Sequence, residues 1–245
     1  MLARLVVAAL VLVLAACSDG DPGRSLAPRP SAPETSATAS LPPSPPLPET
    51  RAPRPTYDSA VRRLTAAERE AMTGVSWRPG CPVGLDRLRV VTLDHWDFAG
   101  EVRRGVLVVR ADVADEVAAI FGGLFRAGFP IRRMAPVDQY DGDDFTSIEA
   151  DNTSAFNCRP ATGSSEWSHH AYGLAIDLNP LENPYVLDGR TSHDRSTRFL
   201  DRSRQGRGVI VDNGPVVRAF RDAGWHWGGD WSNPVDYQHF SKLPG

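Results

Sequence analysis

The stretch WSHHAYGLAIDLNP, residues 167–180, places two adjacent histidines ahead of an aspartate, with a glycine between them. From Leu174 onward it reads as a strand. Ala175 and Asp177 fall on one face, and Leu174, Ile176 and Leu178 on the other. A carboxylate on so apolar a strand, with no basic neighbour, requires a partner, because an unpaired buried charge is costly. His170, placed before the Gly173 turn, folds back to the same point. A histidine and an aspartate at this spacing are a weak metal signal by themselves, and a hydrogen-bonded structural pair is the commoner outcome.

The C-terminal DWSNPVDYQHF, residues 230–240, changes that balance. His239 follows Asp236 closely in a strand-like stretch and shares a face with Tyr237. His170, Asp177 and His239 supply two imidazoles and one carboxylate. That set leaves one tetrahedral position of a zinc ion open for water. Asp236, just upstream of a ligand, is then placed to take a proton from that water.

Taken together, SHHAYGLAID (168–177), WHWGG (225–229) and the Asp236-to-His239 spacing resemble the zinc D,D-carboxypeptidase and endopeptidase family that includes the VanY-type and VanX-type peptidases and phage L-alanyl-D-glutamate endolysins. The resemblance spans residues 75–245. It implies His170, Asp177 and His239 as ligands of one Zn2+, Asp236 as general base, and an α+β fold shared with the Hedgehog signalling domain, a mostly antiparallel sheet flanked by helices. Ser168 and Trp227 lie within the motifs and are expected substrate contacts. His169 lacks the family spacing and is expected to point away from the metal, near substrate.

The chain departs from the family at one place. Many members carry an S-G-Y-R segment whose arginine holds the scissile carbonyl; here the nearest match is Ser154-Ala155-Phe156-Asn157. Arg159, two residues on, shares a strand face with position 157 and takes the expected role, with Arg133 in PIRRM as the reserve. The alternative for Arg159 is a simple ion pair with a surface carboxylate. His226 is expected to be structural, and His95 and His193 to lie at the surface.

The ends and the composition bound the compartment. Arg4 and the apolar run Leu5–Ala16, too short for a comfortable membrane span, lead into Leu14-Ala15-Ala16-Cys17, which resembles a lipoprotein signal (1–17) lipidated at Cys17. Residues 18–56 are rich in proline and free of tryptophan, phenylalanine and tyrosine, so they form an extended, disordered tether. The folded domain is expected over 57–245. The net charge of −3 implies no strong basic face and excludes nucleic acid as the main partner. The two remaining cysteines, Cys81 and Cys158, most simply pair in an oxidising exterior, the alternative being two buried thiols.

Patterning gives a helix over 57–72 with a Thr65–Glu68 capping box, strands over 88–96 and 105–113, and a helix over 111–128 with Val113, Val117, Ile120, Phe121 and Leu124 on one face. Residues 130–136 read as a short strand, 138–147 as a polar loop, 153–159 and 172–180 as strands, and 215–224 as a helix. An arginine-rich stretch runs over 190–207. The order lacks steady βαβ alternation and indicates an α+β domain. The expectation is therefore a monomeric, lipid-anchored zinc peptidase facing the cell wall and hydrolysing peptidoglycan stem peptides. Carboxypeptidase action on D-Ala-D-Ala is favoured. The alternatives are an L-Ala-D-Glu endopeptidase and a catalytically silent zinc-containing binding lipoprotein.

Overall fold

The computed structural model describes residues 55–245; the signal segment with Cys17 and residues 18–54 of the tether lie outside them. The described chain opens on strand β1 (Ser59–Arg63) and helix α1 (Ala66–Met72), not on one helix over 57–72. The Thr65–Glu68 capping box is present, and it explains the break. A capping threonine has extended backbone, so the helix starts after it and the preceding residues are free to pair as a strand.

Strands β2 (Leu88–Trp96) and β3 (Val102–Arg110) complete an antiparallel sheet in the order β1-β2-β3. Val91, Leu93, Leu107 and Val109 enter the main core, while Leu88, Val90 and Val108 enter a second one with Phe156, Cys158 and Ala171. Burial on both faces is why these strands read as nearly continuous apolar runs. Helix α2 (Ala114–Arg126) covers the main-core face, with Val117, Ile120, Phe121 and Leu124 buried.

The middle of the chain is less regular than its pattern suggested. Strand β4 (Arg133–Met134) pairs in parallel with β5 (Asn152–Thr153), each only two residues long. Between them a 3-10 turn at Val137–Tyr140 and helix α3 (Asp144–Glu149) replace the expected polar loop. The Asp143 side chain caps α3 by accepting from the Thr146 amide. Strand β6 (Ala175–Asp177) and the short β7 (Tyr185–Val186) follow, and the arginine-rich stretch forms a 3-10 turn at Asp194–Phe199. Helix α4 (Pro215–Asp222) leads into β8 (His226–Trp227), β9 (Val235–Asp236) and β10 (His239–Ser241). A second antiparallel sheet has the order β6-β10-β8, and β7 pairs with β9.

Buried backbone without a strand neighbour still requires hydrogen-bond partners, and three asparagines supply them. Asn152 bonds both the amide and the carbonyl of Ala135. Asn179 accepts from the Arg132 amide and donates to Pro130 and Gly208. Asn183 accepts from Ile210 and donates to Leu178, Asn179 and Gly208. These side chains hold the segment after β6 against the β4 region and the 206–210 loop.

Cys81 and Cys158 form a disulfide with a Cα separation of 6.0 Å, closing a loop of sequence separation 77. It staples the start of the domain to the second core and fits an oxidising compartment. No helix among the described residues is long and apolar enough to cross a membrane. His95 and His193, expected at the surface, are both buried. His95 follows the inward positions of β2, and His193 is drawn in by Glu149 at 2.6 Å.

Two stability predictions follow from this architecture. Replacing both Cys81 and Cys158 by serine releases a long loop, worth about 4 kcal/mol in chain entropy. The expected drop in Tm is on the order of 10 °C by calorimetry. Behind β6, Glu182 and Asp151 are buried together and share the Arg132 guanidinium. Burial, then the Asp151 carboxylate, pushes Glu182 up to about 7 from 4.5, with Arg132 pulling back. The folded state therefore holds a proton there that the unfolded chain releases, so this group's contribution to stability falls as pH rises from about 4.5 to 7. Urea denaturation of Glu182→Gln across that range should show a flatter pH dependence than the parent.

Candidate metal centre

Asp177 and His239 meet because β6 and β10 pair in antiparallel register with these two residues directly opposite. His170 reaches them from a 3-10 turn, His169–Tyr172, whose ends are locally determined. The Ser168 hydroxyl caps its start by accepting from the His170 amide, and Gly173 ends it with φ 66°. A Cβ at Gly173 would lie 2.8 Å from the Arg110 amide nitrogen, so both the backbone conformation and the space call for glycine.

The donor atoms converge. His170 Nε2 lies 3.1 Å from Asp177 Oδ2 and 3.2 Å from His239 Nδ1, and His239 Nδ1 lies 3.0 Å from Asp177 Oδ1. The other ring nitrogen of His170 donates to the Ala155 carbonyl at 2.6 Å, which leaves the lone pair of neutral His170 on Nε2, facing the cluster. Three buried lone-pair atoms this close repel unless a proton or a cation sits among them. Burial disfavours charge on His170, but Asp177 outweighs it and pushes the imidazole up. Asp177, despite burial, is held far below the ordinary carboxylate range by His170 and His239. The donor set fits a divalent cation, as the only group of three or more His, Cys, Asp or Glu side chains among the described residues with this convergence.

Asp236 stands beside this group on β9, buried, with Oδ1 lacking a hydrogen-bond partner. Burial, then the Asp177 charge, pushes it up to about 7, with His239 pulling back. The turn carrying Asp236 and His239 is seated on Gly228. A Cβ there would lie 2.6 Å from the Asp236 carbonyl oxygen, 3.0 Å from Asp236 Cβ and 3.2 Å from His239 Cβ. Trp227, expected as a substrate contact, is buried instead, and its indole N–H donates to the Tyr237 carbonyl at 2.9 Å, bracing the same turn.

His170, Asp177, Asp236 and His239 line an open cleft of about 780 Å³. Ser168, His169 and Arg159 also line it. His169 bonds Ser241 Oγ at 2.8 Å, and burial, then His239 and His170, lower its pKa to about 4. Arg159 is ion-paired with Asp144 at 2.7 Å, and its buried Nε has no partner. Asn157, at the family's arginine position, is buried and donates to the Gly142 carbonyl. Arg133 is exposed on β4 and does not line the cleft. His226 is exposed. Sequence reading missed Tyr185, Trp231, Phe145 and the buried His193 as cleft residues. Only Trp231, whose ring centroid lies 5.4 Å from that of His239, carried a signal, its place beside the WGG motif.

Residues 162–242 match the family model described as D-alanyl-D-alanine carboxypeptidase. No curated protein and no solved structure matches the chain. The matched segment holds His170, Asp177, Asp236 and His239, whereas Arg159 lies just before it. Over residues 162–242 the chain is similar to the D-alanyl-D-alanine carboxypeptidase family, and the candidate metal site of His170, Asp177 and His239 lies inside that similarity.

Proposed function

We propose that the protein is a zinc D,D-carboxypeptidase that removes the terminal D-alanine from peptidoglycan stem peptides, held at the wall-facing side of the cell membrane by a lipid on Cys17 and a tether over 18–56. The carrying observation is the His170–Asp177–His239 convergence beside a buried Asp236, one of whose oxygens lacks a partner, in an open cleft. Two histidines and one carboxylate are a zinc-type donor set with room for a further ligand. A zinc ion bound there supplies Lewis acidity toward the scissile carbonyl and makes water a nucleophile near neutral pH.

The chain's own residues do the rest. The Ala155 carbonyl fixes the tautomer and tilt of His170. Asp236 takes a proton from the attacking water and delivers it to the leaving amine; its raised proton affinity suits a group that must both accept and release. Arg159 offers Nε and, on exchanging Asp144 for substrate, a guanidinium fork to the carboxylate at the peptide's C-terminus or to the developing oxyanion. Ser168 holds the His170 turn, so its contribution to substrate is indirect.

Incubation of the zinc-loaded protein with defined stem pentapeptides, read by mass, tests the reading. Loss of one alanine is expected. A cut after the first alanine would make it an endopeptidase, and no cleavage with metal verified would make it a binding protein. Asp236→Asn should lower kcat by about 10²–10⁴-fold while zinc content is kept. For the parent, kcat/KM should rise with pH as Asp236 ionises, with the midpoint at or below about 7, since a nearby cation favours the carboxylate. Asp236→Asn should lose that limb. Gly228→Ala pushes a methyl into the Asp236 carbonyl oxygen and against the Cβ atoms of Asp236 and His239, so both zinc affinity by calorimetry and kcat should fall by about tenfold or more.

A further inference from the structure

A hydrogen-bonded serine and histidine stand beside the candidate ligands and take no part in the reaction described above. Ser241 alternates with His239 on β10, so its side chain lies on the sheet face that carries Asp177 and His239, in the next pair of that face, opposite Ala175. Ser241 is 1% exposed. Its hydroxyl oxygen accepts from the Leu243 amide at 3.0 Å, and its other partner among the described residues is His169 Nδ1 at 2.8 Å.

That pair of bonds selects a tautomer. A hydroxyl has a single proton to give, and Leu243 occupies the oxygen as a donor, not as an acceptor. His169 Nδ1 is then the acceptor in reach, and leaving a buried hydroxyl proton unbonded would cost about 1–3 kcal/mol. Nδ1 therefore accepts, and the neutral His169 ring carries its proton on Nε2. That N–H has no acceptor among the described residues. The ring is partly exposed and lines the same cleft as the metal group, with its centroid 5.8 Å from that of His239. The other donors of this region are engaged: Asn157 with the Gly142 carbonyl and Arg159 with Asp144.

We propose that His169, held by Ser241 with its proton on Nε2, is a catalytic residue that donates a hydrogen bond to the oxygen of the peptide carbonyl under attack. The identity of that oxygen rests on the peptide-hydrolase reading, whereas the tautomer does not. A donor fixed before the reaction gains strength as the oxygen becomes negative, so its loss falls on kcat more than on KM. Arg159 is then left for the carboxylate at the end of the peptide.

Two measurements on the full zinc-loaded chain test this. Nitrogen NMR of histidine-labelled protein reads the tautomer, the His169 signals being those lost in His169→Gln. Nε2 should be the protonated nitrogen, and Ser241→Ala should let the Nδ1–H form appear; a parent already protonated on Nδ1 overturns the proposal. Calorimetry then compares a peptide ending in D-Ala-D-Ala, bound to the Asp236→Asn chain, with a phosphinic analogue, bound to the parent, whose tetrahedral anion replaces the scissile amide. His169→Ala, introduced into each chain, should weaken the phosphinate by about tenfold or more and the amide peptide by less than about twofold, with zinc content kept. A merely structural histidine would weaken both alike, so equal losses, an unchanged phosphinate affinity or no phosphinate binding by the parent would each overturn the role. Turnover separates the two readings. If the parent cleaves stem peptides while phosphinate binding ignores His169, the donor fails and the carboxypeptidase stands. If phosphinate binding depends on His169 and no peptide is cleaved, the carboxypeptidase fails and the donor stands.

Discussion

The antiparallel pairing of β6 with β10 is the constraint on which the site depends. It places His239 opposite Asp177, and a slip of one residue would turn His239 to the other face of the strand. The register is fixed by apolar packing, not by the ligands. Phe240, between His239 and Ser241, is fully buried and stacks on Phe220 at 4.1 Å. Burying a phenylalanine stabilises by about 1.5–3 kcal/mol, so turning it outward to rescue a wrong register is strongly disfavoured. Phe240 is also paired with Trp227 on β8, whose indole holds the Tyr237 carbonyl. The core thus decides which way the metal-facing side chains point, and alternation does the rest: Ser241, two residues beyond His239, meets His169.

Around this short sheet the chain is mostly irregular, yet residues 151–158 and 173–184 are almost wholly buried. Such segments are stable only if their polar backbone groups are satisfied. Asn152, Asn179 and Asn183 act as substitutes for missing strand neighbours, each bonding backbone groups far away in sequence. Arg202 adds to this layer. Its guanidinium donates to the Glu182 and Ile210 carbonyls and lies 4.2 Å from the Tyr237 ring centroid. An arginine read from composition as one more charge in a polar stretch is an internal tie between that stretch and the turn before His239. These bonds hold the loops around the cleft in place, with little regular secondary structure.

The convergence of His170, Asp177 and His239, with Asp236 beside them, was legible in the sequence because period-two alternation, a turn glycine and short motif spacings are local. Gly228 belongs to the same local signal, and the structure supplies its reason, the close approach of Asp236 and His239. What was not legible depends on contacts distant in sequence. His193 was expected at the surface because Glu149, which buries it, lies far upstream. Helix α3 was hidden in an acidic run, since a helix this short rests on one capping aspartate and carries little periodicity. The 57–72 segment was read as one helix because its capping box was placed inside it and not at its boundary. Arg159 lines the cleft, but the residues from 155 to 159 form no regular strand, so the alternation argument from position 157 does not account for its place, and its Asp144 partner was beyond such reasoning.

Two carboxylates occupy this buried site, and the surroundings drive their proton affinities in opposite directions. Asp177 faces His170 and His239 within hydrogen-bonding distance and is driven far down. Asp236, buried with one oxygen unpartnered, feels the Asp177 charge and is driven up. Each shift depends on the other, since the ionised Asp177 is part of what raises Asp236. Such a division separates two groups that chemical identity does not: the carboxylate that stays ionised suits a ligand, and the one poised near neutrality suits the proposed exchange of protons. Interchanging the two would place the proton-exchanging group against both imidazoles, where it could no longer be protonated at working pH. The strand register therefore fixes which aspartate joins the candidate metal group, and with it which one remains free for the proposed role of base.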